Sequence, residues 1–499
     1  MSNIQLSPLN LVNRVFGDIS PGYSRARLRF GFLQGLAAVF SGTCIGVLLL
    51  ASMLPKYSWA ILLLPVFIFP FVVMITGNLH RLLLALIVID IPLQLDVNPG
   101  YRADVVQFGS LSGMSLSVTT LALAVLYTLW LTDHLGRIGS PRRLTFRGSM
   151  PLAAYVILVT LSALVAFDVN MAFFQVFLLW QMFMLFLYLV NFVRTRRDVA
   201  FIVTVLLFGL ALESMIMIGH RVIGRDIYAA GGLLSLTMFG SRVGGTLGHP
   251  NAAGSFLAML LAPAVGVLLT PARRELKLLA ASGIALGSIA LALTLSRGSW
   301  IAFGLSIMIL CLFAWRRGWL SPTVPAVLFV LALVMYASFH GMISERILES
   351  DGGSAQGRLP LMQLAFQMIG DKPVMGVGAN NFGIMIKQYA TPEYRNVWLY
   401  SVHNQYLLIW AEAGLITLVA YLGFLLVTLR RGWLVWMRAD RYVSPIVLGC
   451  VAAIIGHMVH LNVDLFIHRP QVQLLFLISG LVTAICHMDV SVNEYENRV

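Results

Sequence analysis

Cysteine and charge are both scarce in this chain of 499 residues. The four cysteines, Cys44, Cys311, Cys450 and Cys486, all fall inside apolar runs. Neither a disulfide framework nor a metal-ligand spacing can be read from them. Charged residues make up 11% of the chain, against about 25% in a soluble globular domain. HExxH, P-loop and dinucleotide-binding patterns are missing. That argues against a dedicated metal or nucleotide site and leaves no cofactor implied. Residues 1–30 are polar and basic, without the short apolar core and cleavage site of a removable signal peptide. The first apolar run is therefore expected to stay as an anchor.

What the chain has is apolar length. It is 59% hydrophobic with mean hydropathy +0.85, which marks a polytopic membrane protein. Runs of spanning length, about 17–25 residues, occur near 31–53, 58–76, 114–132, 151–167, 172–193, 200–219, 252–270, 277–295, 299–315, 321–339, 404–429, 444–463 and 471–488. A shorter run near 82–97 is a fourteenth span or a re-entrant segment. The expected fold is all-α with about 12–14 transmembrane helices.

The net charge of +13 does not point to nucleic acid, because the basic residues lie mostly in short loops between apolar runs. There they set topology. With the N-terminus inside and fourteen alternating spans, 22 of the 34 Lys and Arg fall on inside segments. Both termini are then cytoplasmic. The expected organisation is a cytoplasmic segment 1–30, spans over 31–339, a large external loop 340–402, C-terminal spans over 403–488 and a cytoplasmic tail 489–499. A second external segment lies near 220–251. Loops this long in a compact domain are usually functional or disordered, and the apolar and aromatic residues in these two argue against disorder.

Within the large loop, residues 358–369 read as a short helix with Pro360 in its first turn. Leu361, Leu364, Ala365, Met368 and Ile369 recur at helical spacing and mark its packed face, laid on the membrane or on the bundle. The glycine-rich stretch 370–378 ends it.

Four external features carry possible chemistry. Ser241-Arg-Val-Gly-Gly-Thr-Leu-Gly-His-Pro-Asn251 joins exposed backbone N–H groups to Arg242, an arrangement suited to a phosphate or a sugar; a flexible turn is the plain alternative. Arg297, in Leu295-Ser-Arg-Gly-Ser-Trp300, has almost no loop around it, so it either snorkels to headgroups or binds an anion at the rim. Arg358 opens the loop helix, where its charge adds to that of the helix N-terminus, or it is a solvated surface arginine. His403 and Asn404 open the next span, and a histidine at a membrane edge titrates near neutral pH. It serves either in chemistry or as a boundary hydrogen-bonding residue. Glu412 lies nine residues further on, about 13.5 Å along the axis and on the opposite face. It is expected to make a structural polar contact rather than a dyad with His403. Asp90, Glu213, His457, His460 and Asp464 are further ionisable residues in or beside spans. The last three, with His468 and Arg469, either support the same outer cavity or only pack.

Gly244-Gly-Thr-Leu-Gly-His-Pro-Asn-Ala-Ala253, Leu295-Ser-Arg-Gly298, Gly357-Arg358, Pro373-Val-Met-Gly-Val-Gly378-Ala-Asn380 and His403-Asn404 through Glu412-Ala-Gly414 together resemble the O-antigen ligase and O-antigen polymerase superfamily. The resemblance covers about 240–420. It implies a C-type glycosyltransferase-like helical fold in the bacterial inner membrane, active on the periplasmic face. It also implies a donor glycan carried on undecaprenyl diphosphate, with a growing glycan or lipid A–core as acceptor. Membrane lipids and a chain-length regulator are the other expected partners. It assigns catalysis to His403 and diphosphate binding to Arg297, Arg358 and Arg242, with Asn404, Asn251 and Glu412 as possible support.

These residues suit such chemistry. The leaving group is a diphosphate, and arginines stabilise its growing charge without requiring a metal. A neutral His403 can take the acceptor's proton in a single inverting displacement, or only position the acceptor. Tyr389, Tyr394, Trp398 and Tyr400 either stack on sugars or anchor the loop at the interface. Between the two enzyme types a surface or exopolysaccharide polymerase is favoured over a ligase. A lipid-linked oligosaccharide transporter is the alternative of another class. It should show repeats and broken helices with midplane polar groups, whereas here the polar residues gather at one surface. A membrane scaffold would leave the external arginines unexplained.

Overall fold

The structure is a computed structural model that describes residues 78–135, 146, 148–229, 234–321, 330, 337, 357–391, 399–438 and 440–488. The expected spans near 31–53 and 58–76, most of that near 321–339, both terminal segments, and Tyr394 and Trp398 lie outside them.

Fifteen helices and three two-stranded ribbons make up the described residues. In order they are α1 (Leu79–Leu93), β1 (Asp96–Val97), α2 (Ala103–Val106), β2 (Leu116–Ser117), α3 (Val118–Leu135), α4 (Met150–Ser162), α5 (Val169–Phe192) and α6 (Arg196–Ile223). Then come β3 (Ile227–Ala229), β4 (Leu234–Leu236), β5 (Met238–Phe239), β6 (Arg242–Val243), α7 (Pro250–Leu268), α8 (Arg274–Leu293) and α9 (Arg297–Arg316). The last are α10 (Arg358–Asp371), α11 (Phe382–Tyr389), α12 (Gln405–Ala413), α13 (Leu415–Met437), α14 (Ser444–His460) and α15 (Arg469–His487). Seven of them, α5 to α9, α13 and α15, are long and apolar enough to cross a membrane. The protein is a polytopic all-α membrane protein.

The chain divides into two units. One comprises residues 1–87 and 118–143; its described part is the start of α1 and all of α3. The other comprises 88–117 and 144–499 and holds every candidate site residue. In this second unit α7 packs against α8, α9 and α14, while α5 packs on α15 and α13 on α4.

Small residues let these backbones approach, which is how helices pack tightly in a membrane. A Cβ at Gly449 would stand 2.6 Å from the Ala262 carbonyl oxygen, and one at Gly456 would stand 2.4 Å from that of Ala302. Arg469 is fully buried at the start of α15. It pairs with Asp90 at 2.9 Å and Asp96 at 2.7 Å, and donates to Gln473 at 2.6 Å. A buried arginine requires such partners.

The apolar run 404–429 is not one span. Gly414 (φ +84°) breaks it into α12 and α13. The Leu415 N–H donates to the Pro373 carbonyl at 3.0 Å, and a Cβ at position 414 would lie 1.7 Å from the Val374 oxygen. The chain folds back at this glycine, so that the Tyr406 and Tyr421 rings lie 6.4 Å apart, the 373–374 segment packs on the turn, and the membrane-length helix begins at Leu415. The run near 82–97 is a helix only to Leu93, ending beyond Pro92 in the β1–β2 ribbon.

Candidate functional site

Four helices of the second unit, α7, α10, α12 and α15, begin around one set of polar side chains, and α9 begins beside His460. His249 precedes α7, Arg297 opens α9, Arg358 opens α10, His403 and Asn404 precede α12, and His468 precedes α15. A helix N-terminus carries partial positive charge, which favours an anion, and side chains already cap the first N–H groups of α7 and α12.

His403 is half-buried, with its ring 5.3 Å from that of Tyr400. Tyr400 in turn lies on Gly109 (φ +72°), where a Cβ would meet the phenol ring at 2.3 Å. The Ser401 N–H and hydroxyl both donate to the Phe108 carbonyl. The strand of chain leading to His403 is therefore fixed on the 108–109 turn. Burial, and then the charge of Arg358, push the imidazole down to about 4, against a weaker opposing bond from the Ser401 backbone. A neutral imidazole at pH 7 follows.

Arg358 is the first residue of α10, and Pro360 the third. All five residues expected on the packed face, Leu361, Leu364, Ala365, Met368 and Ile369, are buried, and the helix packs on α12. Leu359 and Phe366, two turns apart, are exposed on the next flank, whereas Gln363, Gln367 and Asp371 face outward on a third. The helix thus has a core face, an apolar flank and a polar flank.

Arg242 lies in β6. Its Nε donates to the Thr294 carbonyl at 3.0 Å and its Nη2 to Asn251 Oδ1 at 2.5 Å. It thereby clamps the turn between α8 and α9, where Leu295 sits at φ +48°, a strained backbone for a branched side chain. Arg297 emerges two residues later. Gly298 faces His460, with room for no side chain, since a Cβ would stand 2.6 Å from the ring. Arg242 is thus both a charge and a brace for the segment that presents Arg297.

Asn251 also touches Asp464, and the charges of Arg358 and Arg242 reach that carboxyl. Burial nevertheless raises Asp464 to about 6. The His249 Nδ1 accepts from the Asn251 N–H at 3.2 Å, so its neutral form caps α7. Burial, then Arg242, His468 and His403, push His249 down to about 4. His468 is lowered by burial as well. The sequence marks Asp464 and His468 as cavity support and His249 only as part of a motif. Its signal was a histidine placed directly before a proline that starts a helix, a pattern that nearly recurs at His468-Arg469-Pro470.

Asn404 and Glu412 do structural work. The Asn404 side chain accepts from the Tyr406 and Leu407 N–H groups at 3.0 Å each and caps α12. Glu412 is buried and accepts from the Phe382 N–H at 3.0 Å, at the start of α11. The 373–380 motif folds over the same helix end. Val377 and Gly378 donate to the Ala411 and Glu412 carbonyls, and Gly376 (φ +68°) lies where a Cβ would strike the Glu412 backbone at 2.3 Å. Asn380 and Asn381 then bond to the chain around Leu111 and Asp168. Tyr389 engages Asp371, tying α11 to the end of α10.

Residues 282–422 match the family model described as O-antigen ligase. No curated protein matches. Among solved structures, one described as "Structural coordination of polymerization and crosslinking by a peptidoglycan synthase complex" contains a chain of 18% identity. The likeness covers 69% of this chain and 97% of that one, with a TM-score of 0.37. The family match takes in Arg297, Arg358, His403 and Glu412, while Arg242, Asn251 and Asp464 lie outside it. Over residues 282–422 the chain is thus similar to the O-antigen ligase family.

Proposed function

We propose that the protein is a glycosyltransferase that moves or polymerises glycan carried on undecaprenyl diphosphate, at the extracytoplasmic face of a bacterial inner membrane. One observation carries this reading: the charges of Arg358 and Arg242 act on His403, His249 and Asp464 where helix N-termini converge. A site with fixed cations beside a neutral imidazole suits an anionic leaving group and a hydroxyl nucleophile.

In the reaction, an acceptor hydroxyl oxygen attacks the anomeric carbon of the donor. The bond from that carbon to the diphosphate oxygen breaks, and the electron pair leaves with the diphosphate. Arg358 and Arg297 bind the diphosphate, and Arg242 braces Arg297 through the Thr294 carbonyl. His403 takes the hydroxyl proton. The two negative charges of a bound diphosphate raise the pKa of the imidazole, so the donor itself strengthens the base. A single displacement of this kind inverts the anomeric configuration. The proton then passes to solvent as product leaves.

The exposed flank of α10 supports the location. Leu359 and Phe366 lead to exposed Val374 and Met375, which adjoin exposed Leu415 and Ile416 at the start of α13. These exposed apolar side chains near the start of a spanning helix support a place for α10 at the membrane interface. Arg358 then sits at headgroup depth, where a lipid diphosphate lies.

A purified enzyme in lipid, given undecaprenyl-diphosphate glycan and a glycan acceptor, is expected to form longer glycan. His403→Ala and Arg297→Ala, shown to be folded, are expected to abolish it. Unchanged transfer in both would sink the site assignment. Product length separates the reactions: a ladder marks the favoured polymerase, and one transfer to lipid A–core marks a ligase.

A further inference from the structure

At the end of the bundle opposite His403, helices α9, α13 and α14 leave a groove of about 310 Å³. Its walls are apolar, formed by Ile309, Phe313, Leu448, Val451 and Ile455 among others, and no carboxylate lines it among the described residues. At its floor Gly432 meets Val451, where a Cβ would stand 2.0 Å from the valine methyl, so α13 and α14 approach closely there.

The mouth is aromatic and cationic. Phe313, Trp433 and Trp436 form a cluster with ring centroids 4.7 to 5.7 Å apart. The Arg317 guanidinium lies 4.2 Å over the Trp436 ring and donates to the Trp436 carbonyl at 3.2 Å. Exposed Arg430 lines the same groove.

Two donors at this mouth are unusual. The Arg317 Nε and Trp436 Nε1 are both buried, with no hydrogen-bond partner among the described residues. Buried N–H groups are normally paired. An arginine that merely snorkelled would hold its whole head in water. Here one face of the guanidinium is stacked and one N–H is turned inward. The pair asks for an acceptor that carries negative charge and arrives attached to something apolar.

We propose that this groove is a binding site for an anionic phospholipid, one acyl chain lying between α9, α13 and α14 and the phosphate meeting Arg317, Trp436 and Arg430. Basic pockets between membrane helices recognise such headgroups, and a groove of this size accommodates part of one chain. The proposal does not depend on the transfer reaction, since the groove shares no residue with the site around His403.

Native mass spectrometry of delipidated full-length protein tests it, with phosphatidylglycerol and phosphatidylcholine of identical acyl chains as probes. The wild type is expected to retain phosphatidylglycerol with about tenfold higher affinity. Arg317→Met and Arg430→Gln are each expected to reduce that preference severalfold. Ile455→Trp, which fills the groove and leaves the cations intact, is expected to weaken both lipids. Where Arg317→Met fails to fold by circular dichroism, Arg430→Gln and Ile455→Trp decide the matter. Equal affinity for the two lipids, an unreduced preference in Arg430→Gln, or unweakened binding in Ile455→Trp would overturn the proposal. So would displacement of phosphatidylglycerol by undecaprenyl phosphate at lower concentration.

Discussion

The guanidinium of Arg242 donates to Asn251 Oδ1 at 2.5 Å while its Nε holds the Thr294 carbonyl at 3.0 Å. One side chain thus ties the glycine-rich motif to the turn that delivers Arg297. A lysine keeps the charge but cannot span two acceptors set at fixed angles. Arg242→Lys is therefore expected to lower kcat/KM by about 10- to 100-fold. Asn251→Ala should cost less, and the double variant should cost less than the product of the two. A double-mutant cycle in kcat/KM measures this coupling, expected at about 0.5–3 kcal/mol. Strict additivity would separate Arg242 from Asn251 in function.

Arg358 is expected to show two effects at once. Its charge helps to hold His403 down at about 4, and in the proposed reaction it binds the diphosphate. Arg358→Gln removes the cation, so the imidazole pKa rises toward its ordinary value. The acid limb of kcat/KM, which reports the free enzyme, moves to higher pH. The same change weakens transition-state stabilisation by about 10²- to 10³-fold. Arg358→Lys keeps the limb in place but loses the fork. A pH–rate profile of the three proteins checks this. A limb that stays fixed in Arg358→Gln would take Arg358 away from His403.

The α10 face was legible because its information is local. Five apolar residues at helical spacing after Gly357-Arg358-Leu-Pro360 need no partner to be read, and all five are buried. The break at Gly414 was not legible. Glu412 is the one charged residue of the run 404–429, and only the distant Pro373 carbonyl and Val374 make the φ of Gly414 necessary. The site was half legible for the same reason. Arg297 and His403 stand at the ends of apolar runs and Arg358 opens the loop helix, positions that the sequence displays. The meeting of His249 with His468, more than two hundred residues away, arises from the packing of α7 near α15. Asn404 and Glu412 have motif positions but serve as a cap and a loop anchor, roles that depend on hydrogen-bond partners the sequence does not specify.

The site carboxyl gives a second pH prediction. Burial raises Asp464 to about 6, and His403 stands at about 4. The proposed base must be unprotonated, so activity is present at pH 7 and lost as pH falls. Asp464 takes a proton first, near 6. Its negative charge then no longer offsets Arg358, and His403 becomes a weaker base. The rate should fall partway through pH 6, by about threefold to tenfold, and completely below 4. Asp464→Asn should abolish the upper step, lower the plateau and leave the fall near 4. A step at pH 6 that survives in Asp464→Asn would assign it to another group.

Glu412 offers the sharpest contrast between scaffold and chemistry. Its Oε1 accepts the Phe382 N–H at 3.0 Å, and its own carbonyl accepts from Gly378 at 2.8 Å. The side chain thus anchors the loop that carries the 373–380 motif. Glu412→Gln retains an oxygen for the Phe382 N–H and should keep near-normal kcat. Glu412→Ala leaves a buried N–H unsatisfied, with an expected loss of about 1–3 kcal/mol in stability. Because the loop packs on α12, some loss of kcat/KM should accompany it. Neither change should move the acid limb set by His403, since Glu412 lies at the far end of α12 from it. Thermal unfolding in detergent, paired with pH–rate profiles, reads both quantities. A shifted limb in Glu412→Gln, with unfolding unchanged, would mean that Glu412 acts on the histidine after all.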